Sequence, residues 1–341
     1  MKRTRKLTTP PVFISCATVV GREESEGPLG NFFDHTDQKG FFGRRTAELA
    51  EGEMYRLALN TALSKAGLDH TALELLISGD LQNQCLASNR GLSSFGAPFL
   101  GIYGACSTCT EALLILSEML SAGSVTLGAA VTGSHNSTAE RQFRSPLEYG
   151  AMRPPSAQWT ATAAGAFILA SPSHPLYSLG KVEITEYAVG RLIDSGCKDA
   201  SNMGASMAFS AHDTLAAYFS EEGHSPTDHD MIITGDLGRV GHSLLSHLMD
   251  RECPGISSRL ADCGLMLYDR KRQDVHSGGS GCGCSASVLA SYILPALSDG
   301  TLTDVLFLST GALTSQSAIR QGSGIIGIAP LIRLRRKENA D

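Results

Sequence analysis

The strongest constraint on this chain is that it repeats itself. Leu75-Leu76-Ile77-Ser78-Gly79-Asp80-Leu81 matches Met231-Ile232-Ile233-Thr234-Gly235-Asp236-Leu237, and each reads as a buried strand that ends in Gly-Asp-Leu before a helix. A second block runs from Gly104-Ala105-Cys106-Ser107 through Ser121-Ala122-Gly123 to Ala130-Val131-Thr132-Gly133. It matches Cys282-Gly283-Cys284-Ser285 through Ser298-Asp299-Gly300 to Leu308-Ser309-Thr310-Gly311. Two matched blocks in the same order imply an internal duplication, with halves of 10–180 and 181–341. Such a duplication implies two copies of one topology, with Asp80 and Asp236 at the ends of matched strands.

The hydrophobic rhythm is that of an α/β protein. Strands are expected at 12–19, 73–78, 99–102, 125–132 and 164–170, with helices at 47–66, 84–93 and 107–122. The second half reads strand 182–190, helix 205–220, strand 230–235, helix 240–250, a glycine-rich turn, helix 285–298 and strand 304–310. Segments 134–160 and 251–280 stand outside this plan as insertions, and long loops in a compact domain are more often functional than decorative. With 42% hydrophobic residues the chain can bury one or two substantial cores.

Composition excludes several classes. A net charge of −6 with only 18% charged residues offers no basic face for nucleic acid. Nine cysteines, an odd number in a chain too long to need disulfide staples, fit a reducing compartment. The run Val12 to Val20 loosely imitates a signal peptide but reads better as a first strand, and no segment reaches the roughly 20 apolar residues of a membrane-spanning helix. The basic stretch Arg333, Arg335, Arg336, Lys337 reads as a solvated end.

Chemistry concentrates at Gly104-Ala105-Cys106-Ser107-Thr108, where a short strand turns into a helix marked by Leu113, Leu114, Leu116, Met119 and Leu120. A helix N-terminus offers free amides that lower a thiol's pKa or hold a carboxylate. His135, just past strand 125–132, reads equally as a residue that lines a pocket or polarises Cys106 and as a histidine satisfied by loop backbone. Arg141, Arg144 and Arg153 share its insertion, and arginine's planar fork suits carboxylates. Strand-end aspartates such as Asp80 and Asp236 serve ordinarily as helix caps. Cys282-Gly283-Cys284 is too close-spaced for zinc and reads as backbone packing beneath the last helix.

The duplicated halves, the cysteine before a helix, the strand Ala164-Gly165-Ala166-Phe167-Ile168-Leu169 and the turn Gly278-Gly279-Ser280-Gly281 resemble the thiolase and ketoacyl-synthase fold. That fold is two duplicated βαβ-type halves forming an α-β-α-β-α layered sandwich. A closer resemblance covers nearly the whole chain: Glu26-Gly27-Pro28-Leu29, Gly79-Asp80-Leu81 with Asn83-Gln84, Pro98-Phe99-Leu100-Gly101, the Cys106 turn, Ser134-His135-Asn136 with Thr138 to Arg144, and Asp262-Cys263-Gly264-Leu265. These are similar to the stage V sporulation protein AD family of spore-forming bacteria.

That family implies binding of dipicolinic acid, a pyridine dicarboxylate stored in spores as its calcium chelate. It also implies a protein of cytoplasmic origin, peripheral to the inner spore membrane, that works there with integral-membrane partners. The ligand site expected on this basis comprises Asp80, Asn83, Cys106, Ser107, His135, Arg144, Asp236 and Ser280. Asp80 and Asp236 are possible contacts to the chelate's calcium, and no cofactor is expected. The condensing enzymes pair the cysteine with a His after the second strand of the second half, and with an Asn or His in the late glycine-rich turn. Here those places read Thr234-Gly235-Asp236-Leu237 and Gly278-Gly279-Ser280, so neither supplies an imidazole. Acyl transfer by Cys106 with His135 as base stays open as the alternative. The thiolase-like fold further implies a homodimer formed through strand 125–132.

Overall fold

Alternation along the strands decides the layering. The computed structural model describes residues 2–143 and 153–338. The first half contains β1 (Val12–Gly21), α1 (Ala47–Ala66), β2 (Leu75–Gly79), α2 (Leu86–Leu92), β3 (Phe99–Gly101), α3 (Thr108–Ser121), β4 (Leu127–Ser134), α4 (Asn136–Phe143) and β5 (Ala163–Ala170). The second contains β6 (Val182–Ala188), α5 (Met203–Glu222), β7 (Met231–Thr234), α6 (Gly238–Met249), β8 (Leu260–Asp262), α7 (Cys282–Val288), β9 (Asp304–Leu308) and β10 (Leu331–Arg336). The strands run in the order β8-β7-β9-β10-β6-β1-β5-β4-β2-β3, which is the same five-strand order read outward from the centre in both directions.

In each half the outer three strands pair in parallel and the inner ones antiparallel. The two sets meet between β1 and β6 through a single pair, Val12 with Glu183. Two short strands add to this frame: Thr4–Lys6 pairs with β6 and His35–Asp37 with β1.

Because successive side chains point to opposite faces, each strand feeds two cores. Ile77, Ala130, Phe167 and Leu169 join Ile233, Val305, Phe307 and Ile332 in one central core with Leu113 and Leu116 of α3 and Val288 of α7. Their neighbours Leu76, Val131, Ala166 and Ile168 face the opposite way, onto Ala50, Met54, Tyr55, Ala58 and Leu59 of α1. In the second half Ile232, Leu306 and Leu308 meet Met207, Ala211 and Leu215 of α5. Three cores between five layers make the α-β-α-β-α sandwich.

The central layer is tight because glycine permits it. A Cβ on Gly283 would lie 2.2 Å from the Ala163 carbonyl oxygen, and one on Gly165 would lie 2.8 Å from the Ala286 Cβ. Glycines there let α7 sit directly on β5.

Several expectations need correcting. Segment 251–280 is not wholly an insertion, because it carries β8, the counterpart of β3; its polar residues hid a three-residue strand. The basic stretch near the end is β10, the counterpart of β5. Arg333 is buried there, donating from Nε and a terminal nitrogen to Asp304 and from the other to Glu186 at 3.1 Å. Strand β4, expected at 125–132 as the dimer contact, is bonded on both sides by β2 and β5 and has no free edge. Among the described residues, no helix is long and apolar enough to cross a membrane.

Candidate functional site

The site grows from a strained turn. Ala105 adopts φ 51°, the left-handed region that costs a non-glycine residue about 1 kcal/mol. The turn is held by Thr108 Oγ1, which accepts from Gly104 N at 3.1 Å and donates to the Ala105 carbonyl at 2.7 Å. Against it presses the second half, since a Cβ on Gly311 would lie 2.4 Å from the Gly104 carbonyl oxygen. Cys106 is thereby fixed at the head of α3, in a small apolar cluster with Leu81, Ala105, Ala139 and Cys282, rimmed by Phe143 and Leu313.

Two residues of the second half complete the polar side. Gly279–Ser280 pairs with Trp159–Thr160, and Gly281 follows at φ 98°, a conformation glycine adopts without penalty. This turn sets the Ser280 hydroxyl 3.7 Å from the Cys106 sulfur. The same hydroxyl donates to Asp236 Oδ2 at 3.0 Å, which also accepts from Gly281 N at 2.9 Å. Asp236 Oδ1 accepts from Thr310 Oγ1 at 2.7 Å. Cys106, Ser280 and Asp236 thus form one buried line in which every donor to the carboxylate is uncharged.

Burial governs the electrostatics. The Asp236 carboxyl is pushed up to about 6, first by desolvation. The Cys106 thiol is pushed well above its ordinary value, first by desolvation and then by the neighbouring Asp236 charge. The lowering expected from the helix N-terminus is outweighed, and Cys106 is a thiol at neutral pH.

The remaining expected residues stand elsewhere. Asp80 is buried, but its Oδ1 accepts from Gln82 N at 2.8 Å and its Oδ2 from Ser88 N and Ser88 Oγ, both at 2.8 Å. Asn83 is exposed and accepts from Gln142 Nε2 at 2.9 Å. The Ser107 hydroxyl lies 2.7 Å from the Gly104 carbonyl and 2.6 Å from Glu111 Oε1, so it is turned away from the cluster. His135 is buried, with Nε2 2.8 Å from the Gly40 carbonyl and Nδ1 accepting from Ser137 N at 3.2 Å. This pattern fixes the neutral tautomer, and burial lowers the ring's pKa. Both ring nitrogens are therefore occupied with backbone rather than with Cys106. Arg141 pairs with Glu48, Arg153 pairs with Asp274 and stacks on Trp159, and Arg144 lies outside the described residues. The two strand-end aspartates are not symmetric in role, and their oxygens are directed at protein donors rather than arranged for calcium. Among the described residues no group of three or more His, Cys, Asp or Glu is placed to hold a metal ion.

Sequence reasoning missed Cys282, Thr310 and Glu51. Cys282 is part of the cluster, its thiol turned to the Gly133 carbonyl at 2.8 Å, whereas Cys284 packs in the central core. The duplication itself misleads here, because it aligns Cys106 with Cys284. Glu51 of α1 is fully buried; its Oε2 accepts from Gln82 and Thr138, its Oε1 has no partner, and its pKa rises to about 8 through desolvation first. Set among Glu48 and Glu53, it carries no mark of burial in the sequence.

The model of the family described as stage V sporulation protein AD (SpoVAD) matches residues 1–335. The chain belongs to that family. Stage V sporulation protein AD of Bacillus subtilis (strain 168) is 38% identical over 333 residues, covering 96% of each chain. A histidine-to-aspartate variant of OleA from Xanthomonas campestris superposes with a TM-score of 0.60 at 12% identity, over 97% of this chain and 100% of that one. The 3-oxoacyl-[acyl-carrier-protein] synthase III of Aquifex aeolicus VF5 gives 0.56 at 13% identity, over 95% and 99%. These two likenesses establish the thiolase-like fold of this SpoVAD-family chain.

Proposed function

We propose that this chain binds dipicolinic acid, free or as its calcium chelate, at the Cys106 cluster, and does no condensation chemistry on it. The observation that carries this reading is the line Cys106–Ser280–Asp236. A condensing enzyme needs a thiolate, an acid/base partner and oxyanion donors. Here the positions facing the cysteine hold a hydroxyl and a carboxylate, and the carboxylate raises the thiol's pKa. Membership of a sporulation family supports the ligand class. On this reading the chain acts peripherally at the inner spore membrane with integral-membrane partners. It pairs as a homodimer through the free edge β3, where Phe99 and Leu100 are 38% and 42% exposed, rather than through β4.

Calorimetry tests the reading directly. Dipicolinate should bind the wild type, and Cys106→Ala should weaken binding at least tenfold while the protein stays folded. Incubation with an acyl-CoA followed by intact-mass measurement should leave Cys106 unmodified. A covalent acyl adduct would instead establish the transferase. Light scattering at micromolar concentration checks the dimer, and Leu100→Glu should dissociate it.

A further inference from the structure

We propose that the Cys106 pocket takes up one proton, on Asp236, for each free dicarboxylate it binds. This rests on the ligand reading above and concerns how the same site accommodates charge. Asp236 reaches the pocket through the Ser280 hydroxyl and the Cys106 thiol: Ser280 Oγ lies 3.0 Å from Oδ2 and 3.7 Å from the Cys106 sulfur, and the thiol is itself placed against the carboxylate. A dianion seated against that sulfur and hydroxyl stands within a few ångströms of the carboxylate, with no solvent between them because all three residues are buried. Like charges at such separation in a dry site do not coexist without neutralisation.

Among the described residues, the surroundings of Asp236 supply no lysine or arginine to do it. From α3 the group facing Asp236 is the thiol of Cys106, from α7 that of Cys284, and from the end of β8 the carboxyl of Asp262 and the thiol of Cys263, with the Cys109 and Cys282 thiols beyond them. His242 of α6 faces Asp262 rather than Asp236. Beyond Cys282 stand Asp80 and Glu51, with Tyr55 and Tyr103. Among the described residues, none of the groups placed against Asp236 is a lysine, arginine or histidine, so the counter-charge arrives with the ligand, as a proton or as chelated calcium.

Asp236 is also the acid whose protonation rearranges the pocket usefully. As a carboxylate it commands the Ser280 proton, and Ser280 then presents only lone pairs to a ligand. Once Asp236 carries a proton, it can donate to Ser280, which releases the Ser280 hydroxyl to donate to the ligand carboxylate. No bond to carbon forms or breaks; one proton moves from solvent to Oδ2. The carboxyl is already poised for this, being pushed up to about 6 before any ligand is present.

The test is calorimetry with calcium-free dipicolinate between pH 6 and 9, in two buffers of different protonation enthalpy. The expected result for the wild type is an uptake of about one proton per ligand and an affinity that falls about tenfold per pH unit above pH 7. Asp236→Asn should bind with no such slope, and at pH 8 at least as tightly as the wild type. Thr310→Val removes a hydrogen bond that favours the charged form, so it should move the onset of the fall to higher pH. Binding by the wild type without a slope, a slope that persists in Asp236→Asn, or an unmoved profile in Thr310→Val overturns the proposal. If Asp236→Asn does not fold, the Thr310→Val profile decides. No binding at any pH defeats the ligand reading and this inference together, whereas pH-independent binding defeats this inference alone.

Discussion

The ends of β2 and β7 carry the same Gly-Asp-Leu, and their aspartates do different work. Asp80 turns back on its own loop and satisfies the amides of Gln82 and Ser88. At the end of β7 the corresponding service comes from the adjacent strand: Asp262 of β8 accepts from Leu237 N at 2.7 Å and Gly238 N at 3.0 Å. Strand β3, which occupies the place of β8 in the first half, ends in Gly101 followed by Ile102 and Tyr103, with no acid to lend. A carboxylate on the neighbouring strand therefore frees Asp236 to face the centre. Duplicated sequence fixes backbone; the neighbouring strand assigns the side chain its task.

This contrast can be broken most severely at Asp262. Asp262→Ala strands the buried amides of Leu237 and Gly238, and urea unfolding should show a loss of about 3–5 kcal/mol, since each unsatisfied buried group costs about 1–3 kcal/mol. Asp80→Asn keeps one acceptor and should cost about 1–3 kcal/mol. Any loss of binding that follows should be the same for free and chelated dipicolinate, because Asp80 acts through structure. A loss confined to the chelate would return Asp80 to the ligand.

Asp236→Asn should differ in kind. The folded-state pKa of Asp236 is raised, so its share of stability is fully present below about pH 4 and is lost as pH rises through about 6. The variant should escape that loss, gaining on the wild type by about 1–3 kcal/mol between pH 4 and 8. A constant difference across that range would mean Asp236 is charged throughout. Glu51 has the same sign with its window higher, through about 8. Glu51→Gln should gain on the wild type from about pH 4.5 upward, by about 2–3 kcal/mol between pH 6 and pH 9, read from urea midpoints. The smallest stability effect is expected for Cys106→Ala, about 1 kcal/mol or less, because the thiol sits in a satellite cluster outside the three main cores. A collapse of thermal stability in that variant would make Cys106 a packing residue first.

The sequence made the fold readable to an unusual depth because duplication and strand alternation reinforce each other. Helix α1 falls at 47–66 as expected, since Thr46 caps it and Gly67 at φ 65° ends it. What stayed hidden were short strands paired on both flanks, as with β10, whose alternating arginines look like a solvated tail until Asp304 and Glu186 are brought beside them. The site was half legible. Cys106 announces itself by its turn, and Asp236 and Ser280 by standing where the condensing enzymes keep their imidazole and amide. Which of two equivalent aspartates faces the pocket depends on β8, and β8 has only three residues to show for itself. For His135 the sequence leaves a pocket role and loop backbone both open, because nothing local reveals that the Gly40 carbonyl, 95 residues earlier, takes its ring nitrogen.

The strand Thr4–Lys6 lies along Glu186 to Ala188, while Arg3 and Thr4 donate their backbone amides to Glu221 and Arg3 grips Asp213. The opening residues of the chain thus belong to the sheet built by its closing half. During synthesis they leave the ribosome long before their partners are translated and remain an unclaimed strand until β6 and α5 emerge. Severing the polypeptide between the halves would consequently not yield two complete modules: the later one would lack a strand that only the earlier one carries, and adding that short peptide back in trans should restore it.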